Sequence, residues 1–167
     1  MINVSLFAIL GVGMTFIIIT AGIDLSIGSI FIFSSVISIK VMQLIGGDGW
    51  YPSIIGILVA LVIGTFWGTV NGLIIAYLKV PAFIVTLGTL STILGISQIT
   101  TGGIDWRGAP STLVDKIGFG NVIGQVPVLG CIALVVVTLG AILLHKTKFG
   151  LMTYAVGSNT EACRRVG

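Results

Sequence analysis

The chain has 167 residues, 56% of them hydrophobic and 8% charged, with a mean hydropathy of +1.19. Soluble domains carry about 25% charged residues, so this chain cannot clothe itself in a wet surface, and its solvent is a bilayer. The net charge of +3 is not gathered into a patch, which argues against a nucleic-acid face; the Lys and Arg residues punctuate apolar runs as loop charges do.

The first predicted helix covers about 3–21. No basic segment precedes it and no small-residue cleavage pattern follows, so it reads as a span rather than a signal peptide. Next comes "AGIDLSIGS" (21–29), which holds Asp24, the only charged residue between Met1 and Ile39. Asp and Ser oxygens accept bonds from the orphan N–H groups of a helix's first turn, and a carboxylate suits the positive end of the helix dipole. Helix one therefore ends near Gly22, and Asp24 or Ser26 starts helix two, over about 26–45. Irregular backbone at membrane depth is tolerated only when buried in protein or lining a wet cavity. Asp24, Ser26 and Gly28 are thus candidates for a helix break beside a permeation route, with Asp24 first of all a structural fastener.

"GGDGWYP" (46–52) is a turn, with Trp50 and Tyr51 at interface depth. The third predicted helix, about 53–77, carries a small residue at every fourth position: Gly56, Ala60, Gly64, Gly68, Gly72 and Ala76. Helices in lipid associate through close backbone approach, so this ridge predicts a groove for a neighbouring helix. Asn71 beside it is an amide suited to bonding a neighbouring helix. "LKVP" (78–81) reverses the chain into a fourth helix, about 82–100. Its hydroxyls usually bond their own helix; Gln98 near its end is the best candidate for contact with a cargo.

The stretch 100–127 is a long amphiphilic connection with a short surface helix near 111–117. Asp105 lies there beside Trp106 and Arg107, and a surface ion pair is its expected fate rather than a two-aspartate protease site with Asp24. The fifth predicted helix covers about 126–145. "HKTK" (145–148) and "RR" (164–165) place its end in the cytoplasm. Alternation then puts Lys79 inside and Lys40, Arg107 and Lys116 outside. The fold class is an all-α membrane protein, a polytopic bundle of about five transmembrane helices. Cys131 and Cys163 provide no disulfide framework. No metal-ligand cluster and no catalytic constellation is visible, so an enzyme is not expected. No G-x-x-x-x-G-K-[S/T] occurs, so any nucleotide must be held elsewhere.

Three blocks, "AGIDLSIGS", "NGLIIAYLKVPAFIVTLGTL" (71–90) and "FGLMTYAVGSNTEACRRVG" (149–167), resemble the permease subunit of ABC-type sugar importers of the ribose/xylose group. The resemblance covers essentially the whole chain, as the first half or so of a permease about twice as long. It implies one transmembrane permease domain over 1–167, itself partial, in the bacterial inner membrane. It implies three kinds of partner: cytoplasmic ABC ATPase subunits that bind the ATP, an extracytoplasmic sugar-binding protein, and a second permease copy in a homo- or heterodimer. The cargo would be a pentose such as ribose or xylose. The segment 146–167 would be a cytoplasmic coupling segment docking on the ATPase. Gly157, Asn159, Glu161, Ala162 and Gly167 match the family pattern there, Cys163 replaces its second small residue, and Arg165 is a further candidate contact. Read from the residues alone, Ser158-x-x-Glu161 is a capping box that begins a short charged helix. The competing reading is a secondary transporter or channel-like protein, which would show more intramembrane acids than Asp24.

Overall fold

In lipid each backbone N–H and C=O must find a partner within the protein, and the helix supplies one locally. The computed structural model describes residues 2–166. Five helices among them are long and apolar enough to cross a membrane: α1 (Ile2–Ile19), α2 (Ile27–Ile45), α3 (Trp50–Leu78), α4 (Ala82–Thr101), and, after a short turn α5 (Ser111–Leu113) that runs into a π-helical turn (Val114–Gly118), α6 (Val128–Lys146). Two further helices follow, α7 (Lys148–Ser158) and α8 (Thr160–Val166). The five expected spans stand within three residues of their expected ends. The helix α7 was not foreseen. Thr147 begins it by accepting a bond from the Gly150 N–H at 3.3 Å.

The helices face outward with their large apolar side chains. Leu61, Val62 and Phe66 of α3 are all exposed, whereas the buried positions are rich in serine and threonine. That inverts the soluble pattern and suits lipid, where small and hydroxylated residues let helices meet closely. Many hydroxyls bond back to their own helix, as Thr15 does to the Gly11 carbonyl and Thr69 to that of Thr65, both at 2.7 Å.

The chain divides by contacts into two compact units, one formed within 1–23 and 119–167, the other Asp24–Gly118. In the first, α1 packs on α6 and α7. Gly140 of α6 lies where an added methyl would overlap Val12, and the Phe16 and Phe149 rings meet at 5.9 Å. Helix α1 ends in a Schellman turn: Gly22 N–H bonds the Ile17 carbonyl and Ala21 N–H that of Ile18, both at 2.9 Å. Ala21 takes the left-handed position (φ 57°) that glycine usually fills.

In the second unit α2 packs on both α3 and α4. Ser38 donates to the Gly56 carbonyl at 2.7 Å, and a methyl on Gly56 would overlap the Met42 thioether. Gly64 lies farther along the same seam, beside the buried Ser34, whose hydroxyl has no partner. The expected ridge is used over this half only. Ala60 is partly exposed; Gly68 and Gly72 are exposed, with no atom within 4 Å of where a Cβ would stand. The seam runs out because α2, not a helix along the whole ridge, is what fills it among the described residues.

The end of α2 also fastens the connection after α4. Gln43 donates to the Arg107 carbonyl at 2.8 Å and accepts from the Trp106 indole at 3.2 Å, while the Lys40 ammonium stands 5.4 Å from the Trp106 ring. Asp48, in the turn before α3, accepts from the hydroxyl and the N–H of Ser111, and its carbonyl accepts from Thr112. Asp48 thus satisfies an orphan N–H at the start of α5 from 63 residues away. The Ser111 hydroxyl first, and then the Ser111 backbone N–H, hold the Asp48 carboxyl below its ordinary value; burial opposes them, and the Thr112 backbone N–H adds a smaller lowering effect. A carboxylate depressed in the folded state stabilises the fold above its unfolded value, about 3.9, and that contribution is lost as pH falls through the folded value. Amide-exchange protection of 105–113 is therefore expected to hold at pH 5 and above and to fall below about pH 4. In Asp48→Asn the protection should be lower at pH 6 and lack that acid step; an unchanged acid profile in the variant would remove Asp48 as the cause.

Candidate functional site

The break between α1 and α2 supplies the central feature. Asp24 and Ser26 are two residues apart in an irregular segment, so the carboxylate can reach Ser26 without a helical turn between them. Its Oδ1 accepts from the Ser26 N–H at 2.7 Å and from the Ser26 hydroxyl at 2.6 Å. Ser26, fully buried, is the N-cap of α2 by position but makes no side-chain capping bond. The expected cap is therefore corrected. Asp24 does not bond the first-turn N–H groups of α2; it holds Ser26, and Ser26 has turned its hydroxyl toward the other helices.

Those helices complete a relay. Asn71 of α3 donates from Nδ2 to the Ser26 hydroxyl at 2.9 Å, and Thr89 of α4 donates to Asn71 Oδ1 at 2.6 Å. Ser26, Asn71 and Thr89 are all buried, and Ser29 adds a bond to the Ser26 carbonyl at 2.8 Å. The hydroxyl of Thr89, the amide of Asn71 and the hydroxyl of Ser26 all donate in one direction, ending on the half-buried Asp24 carboxylate. Aligned bonds polarise one another, and the last is strengthened by the charge of its acceptor. The start of α2, α3 and α4 are thereby joined through one polar thread. Thr89 departs from the expected habit of bonding its own helix, and its part was not legible from α4 alone. Gly28, exposed in the first turn of α2, has no atom near its Cβ position and takes no part in the thread. Gln98 is also outside it, nine residues beyond Thr89 and hence about 13 Å farther along α4, where its side chain is exposed.

The second feature lies in the other unit. One residue, Asn159, joins α7 to α8. Its N–H bonds the Ala155 carbonyl at 3.0 Å, closing α7, and its Oδ1 accepts from the Ala162 N–H at 2.9 Å, opening α8. The cap is thus Asn159 and not Ser158, which is the last residue of α7; the helix runs one residue past the expected box. Glu161 stands in the first turn of α8 and Arg164 and Arg165 in the last, the order that complements the helix dipole. Glu161 and Arg165 pair at 3.6 Å, both exposed. Gly157 lies against the end of α1, where a methyl would overlap the Ile19 carbonyl. Gly167 of the expected pattern lies outside the described residues. Asp105 and Arg107 form the surface pair expected of them, at 3.4 Å.

The family model described as "Branched-chain amino acid transport system / permease component" matches residues 1–167, and the chain belongs to this family of membrane permeases, a transport class rather than an enzyme class. It is 36% identical over 164 residues to the inner membrane ABC transporter permease protein YjfF of Escherichia coli strain K12, covering 95% of this chain and 47% of that protein. It is 37% identical over 166 residues to the ribose import permease protein RbsC of Haemophilus influenzae, with 98% and 50% covered. With the autoinducer 2 import system permease protein LsrC of E. coli O9:H4 it shares 32% identity over 165 residues, covering 99% and 46%. The chain spans about half the length of the curated relatives it matches. No solved structure matches it.

Proposed function

We propose that this chain forms part of the permease subunit of an ATP-driven carbohydrate importer of the bacterial inner membrane, with a pentose such as ribose or xylose as cargo. The observation that carries this reading is the similarity of 98% of this chain to half of a ribose import permease, at 37% identity. The geometry supports it. The polar thread, whose groups are bonded to one another and, but for the half-buried Asp24, buried, would hold the helices beside a path for the cargo rather than meet the solute. Asp24, Ser26 and Asn71 would fix the walls of that path at the helix break, with Gly28 leaving room beside it and Gln98 meeting the cargo farther along.

Energy would come from a partner. A cytoplasmic ABC ATPase subunit would bind the ATP, an extracytoplasmic sugar-binding protein would deliver the cargo, and a second permease copy would complete the path. The end of α6 and the α7–α8 segment carry His145, Lys146, Lys148, Arg164 and Arg165, a basic cluster that supports a cytoplasmic side for them. Gly157, Asn159, Glu161, Ala162 and Arg165 would then form a rigid peg for the ATPase. Charge pairs at such an interface act strongly when one partner is reversed. Co-expression with the P-loop ATPase subunit of a sugar importer from the same cell should therefore yield a complex that purifies together, and Glu161→Arg or Arg165→Glu should lower recovery about tenfold while leaving the permease chain folded by circular dichroism. Undiminished recovery in both variants would overturn the docking assignment, and no complex with the parent chain would overturn the importer reading.

A further inference from the structure

Between α2 and α4, roofed by the segment that leaves α4, lies a cleft of about 390 Å³. That is within the span of about 300–1,000 Å³ typical of small-ligand sites. We propose that this cleft is a binding site for a neutral polyhydroxylated molecule, a monosaccharide, with Gln98 and Trp106 as its specificity-determining contacts. The proposal rests on the carbohydrate-permease reading and deepens it by giving the cargo a place in this chain.

The chemistry of the lining selects the ligand. Ser35, Ser97, Thr101 and Gln98 line the cleft. Each of the three hydroxyls gives its proton to its own helix: Ser35 to the Phe31 carbonyl at 2.9 Å, Ser97 to Ile93 at 2.8 Å and Thr101 to Ser97 at 3.0 Å. Their oxygens are left as acceptors, and hydroxyl-rich ligands bring the matching donors. The Gln98 amide, which bonds no other described residue, adds both a donor and an acceptor. A monosaccharide ring needs this mixture; an apolar solute would leave the Gln98 amide dry and unpaired and the hydroxyl oxygens without a donor.

Trp106 supplies the remaining surface. Its indole is held by Gln43 at 3.2 Å and by Lys40 over the ring, so the wall is set before any ligand arrives. A fixed aromatic wall costs little ordering on binding and meets the polarised C–H bonds of a sugar ring with its electron-rich face. Phe31, Val36 and Leu94 make the floor apolar. At the rim Asp105 is paired to Arg107, while Lys40 stands over the Trp106 ring with no carboxylate paired to it among the described residues. The hydroxyls of Ser35, Ser97 and Thr101 and the amide of Gln98 that line the cleft are all neutral, which favours a neutral ligand.

The test uses the full chain in lipid nanodiscs, titrated with D-ribose, D-xylose and D-glucose by saturation-transfer NMR, with D-ribose 5-phosphate as the charged control. At least one neutral sugar should bind saturably and outcompete the phosphate. Gln98→Ala, a change on an exposed face of α4 that leaves the fold alone, should weaken binding about tenfold. Trp106→Ala should do the same and Trp106→Phe should restore most of it, which a mere loosening of the loop would not. If no neutral sugar binds, or if binding ignores both Gln98 and Trp106, or if lipid chains fill the cleft in cross-relaxation spectra, the proposal is overturned. Capture of the ATPase partner in those same samples would show that the importer reading survives that failure; loss of capture by the parent chain would sink both.

Discussion

Asn71→Leu is expected to cost the Asp24–Gly118 unit about 2–3 kcal/mol, the largest loss from any single polar side chain there. Leucine keeps asparagine's branched four-atom skeleton but is bulkier, so the change removes the bonds and adds some crowding at a buried site. Two interhelical bonds vanish, to Ser26 at 2.9 Å and from Thr89 at 2.6 Å. Both neighbours are buried, so water cannot take the place of the amide. The losses are unequal. Ser26 keeps Asp24 as acceptor and loses only the proton it accepted, whereas Thr89 must turn back to a carbonyl of its own helix or stay unpaired. Hydrogen bonds measured within membranes average about 0.6 kcal/mol, which sets the lower bound; the desolvated hydroxyl raises the cost above it. Equilibrium unfolding in mixed micelles measures the total. The thread also predicts coupling: Ser26→Ala and Asn71→Leu together should cost less than the sum of the two by at least about 0.5 kcal/mol. Strict additivity would mean that Asp24, Ser26, Asn71 and Thr89 do not act as one unit.

How far the sequence discloses this arrangement depends on the range of each interaction. The spans were legible because about 20 apolar residues between charges admit one structure in lipid. Their ends were legible wherever the signal is local, as at Gly46 and Gly102, which close α2 and α4 with positive φ. Asp24 was legible as a residue that fastens the start of α2, but its contact was assigned to the wrong atoms. A cap is a local inference, and the pull on Ser26 comes from Asn71, 45 residues away. Asn71 itself was read correctly as a bridge to another helix, because a lone amide in an apolar span has few other uses. The Asp48 clamp on Ser111 was missed altogether, since nothing in "GGDGWYP" names a partner 63 residues distant. The glycine ridge shows the reverse limit. Its period announces that a helix can lie close, not how many steps of it a neighbour will cover; α2 takes Gly56 and Gly64 and leaves Gly68 and Gly72 open. Helix α7 was hidden because glycine lowers helix propensity, and both Gly150 and Gly157 fall within it. Both are places of close approach, Gly150 to the Leu144 carbonyl and Gly157 to that of Ile19.

That close approach sets the second large effect. Gly157→Ala is expected to destabilise the unit that holds α1 and α7 by about 2–3 kcal/mol, within the usual cost of overpacking, while Gly68→Ala in α3 should stabilise its helix by about 0.5–1 kcal/mol. The chemical change is the same, and the surroundings decide the sign. At Gly68 a methyl meets nothing within 4 Å and simply removes backbone freedom from the unfolded chain. At Gly157 it meets the Ile19 carbonyl and lies 3.4 Å from the Thr20 Cα, backbone atoms that cannot rotate aside as a side chain would. Relief requires α7 to lift from the end of α1, and Asn159, the single residue leading into α8, would move with it. Thermal unfolding in detergent measures both variants, and ATPase capture should fall for Gly157→Ala while remaining at the parent level for Gly68→Ala. A Gly157→Ala chain as stable as its parent would mean that α7 does not rest on α1. A destabilised Gly68→Ala chain would mean that a further helix lies along the open half of the ridge, and the gain from helix propensity is what makes that outcome readable.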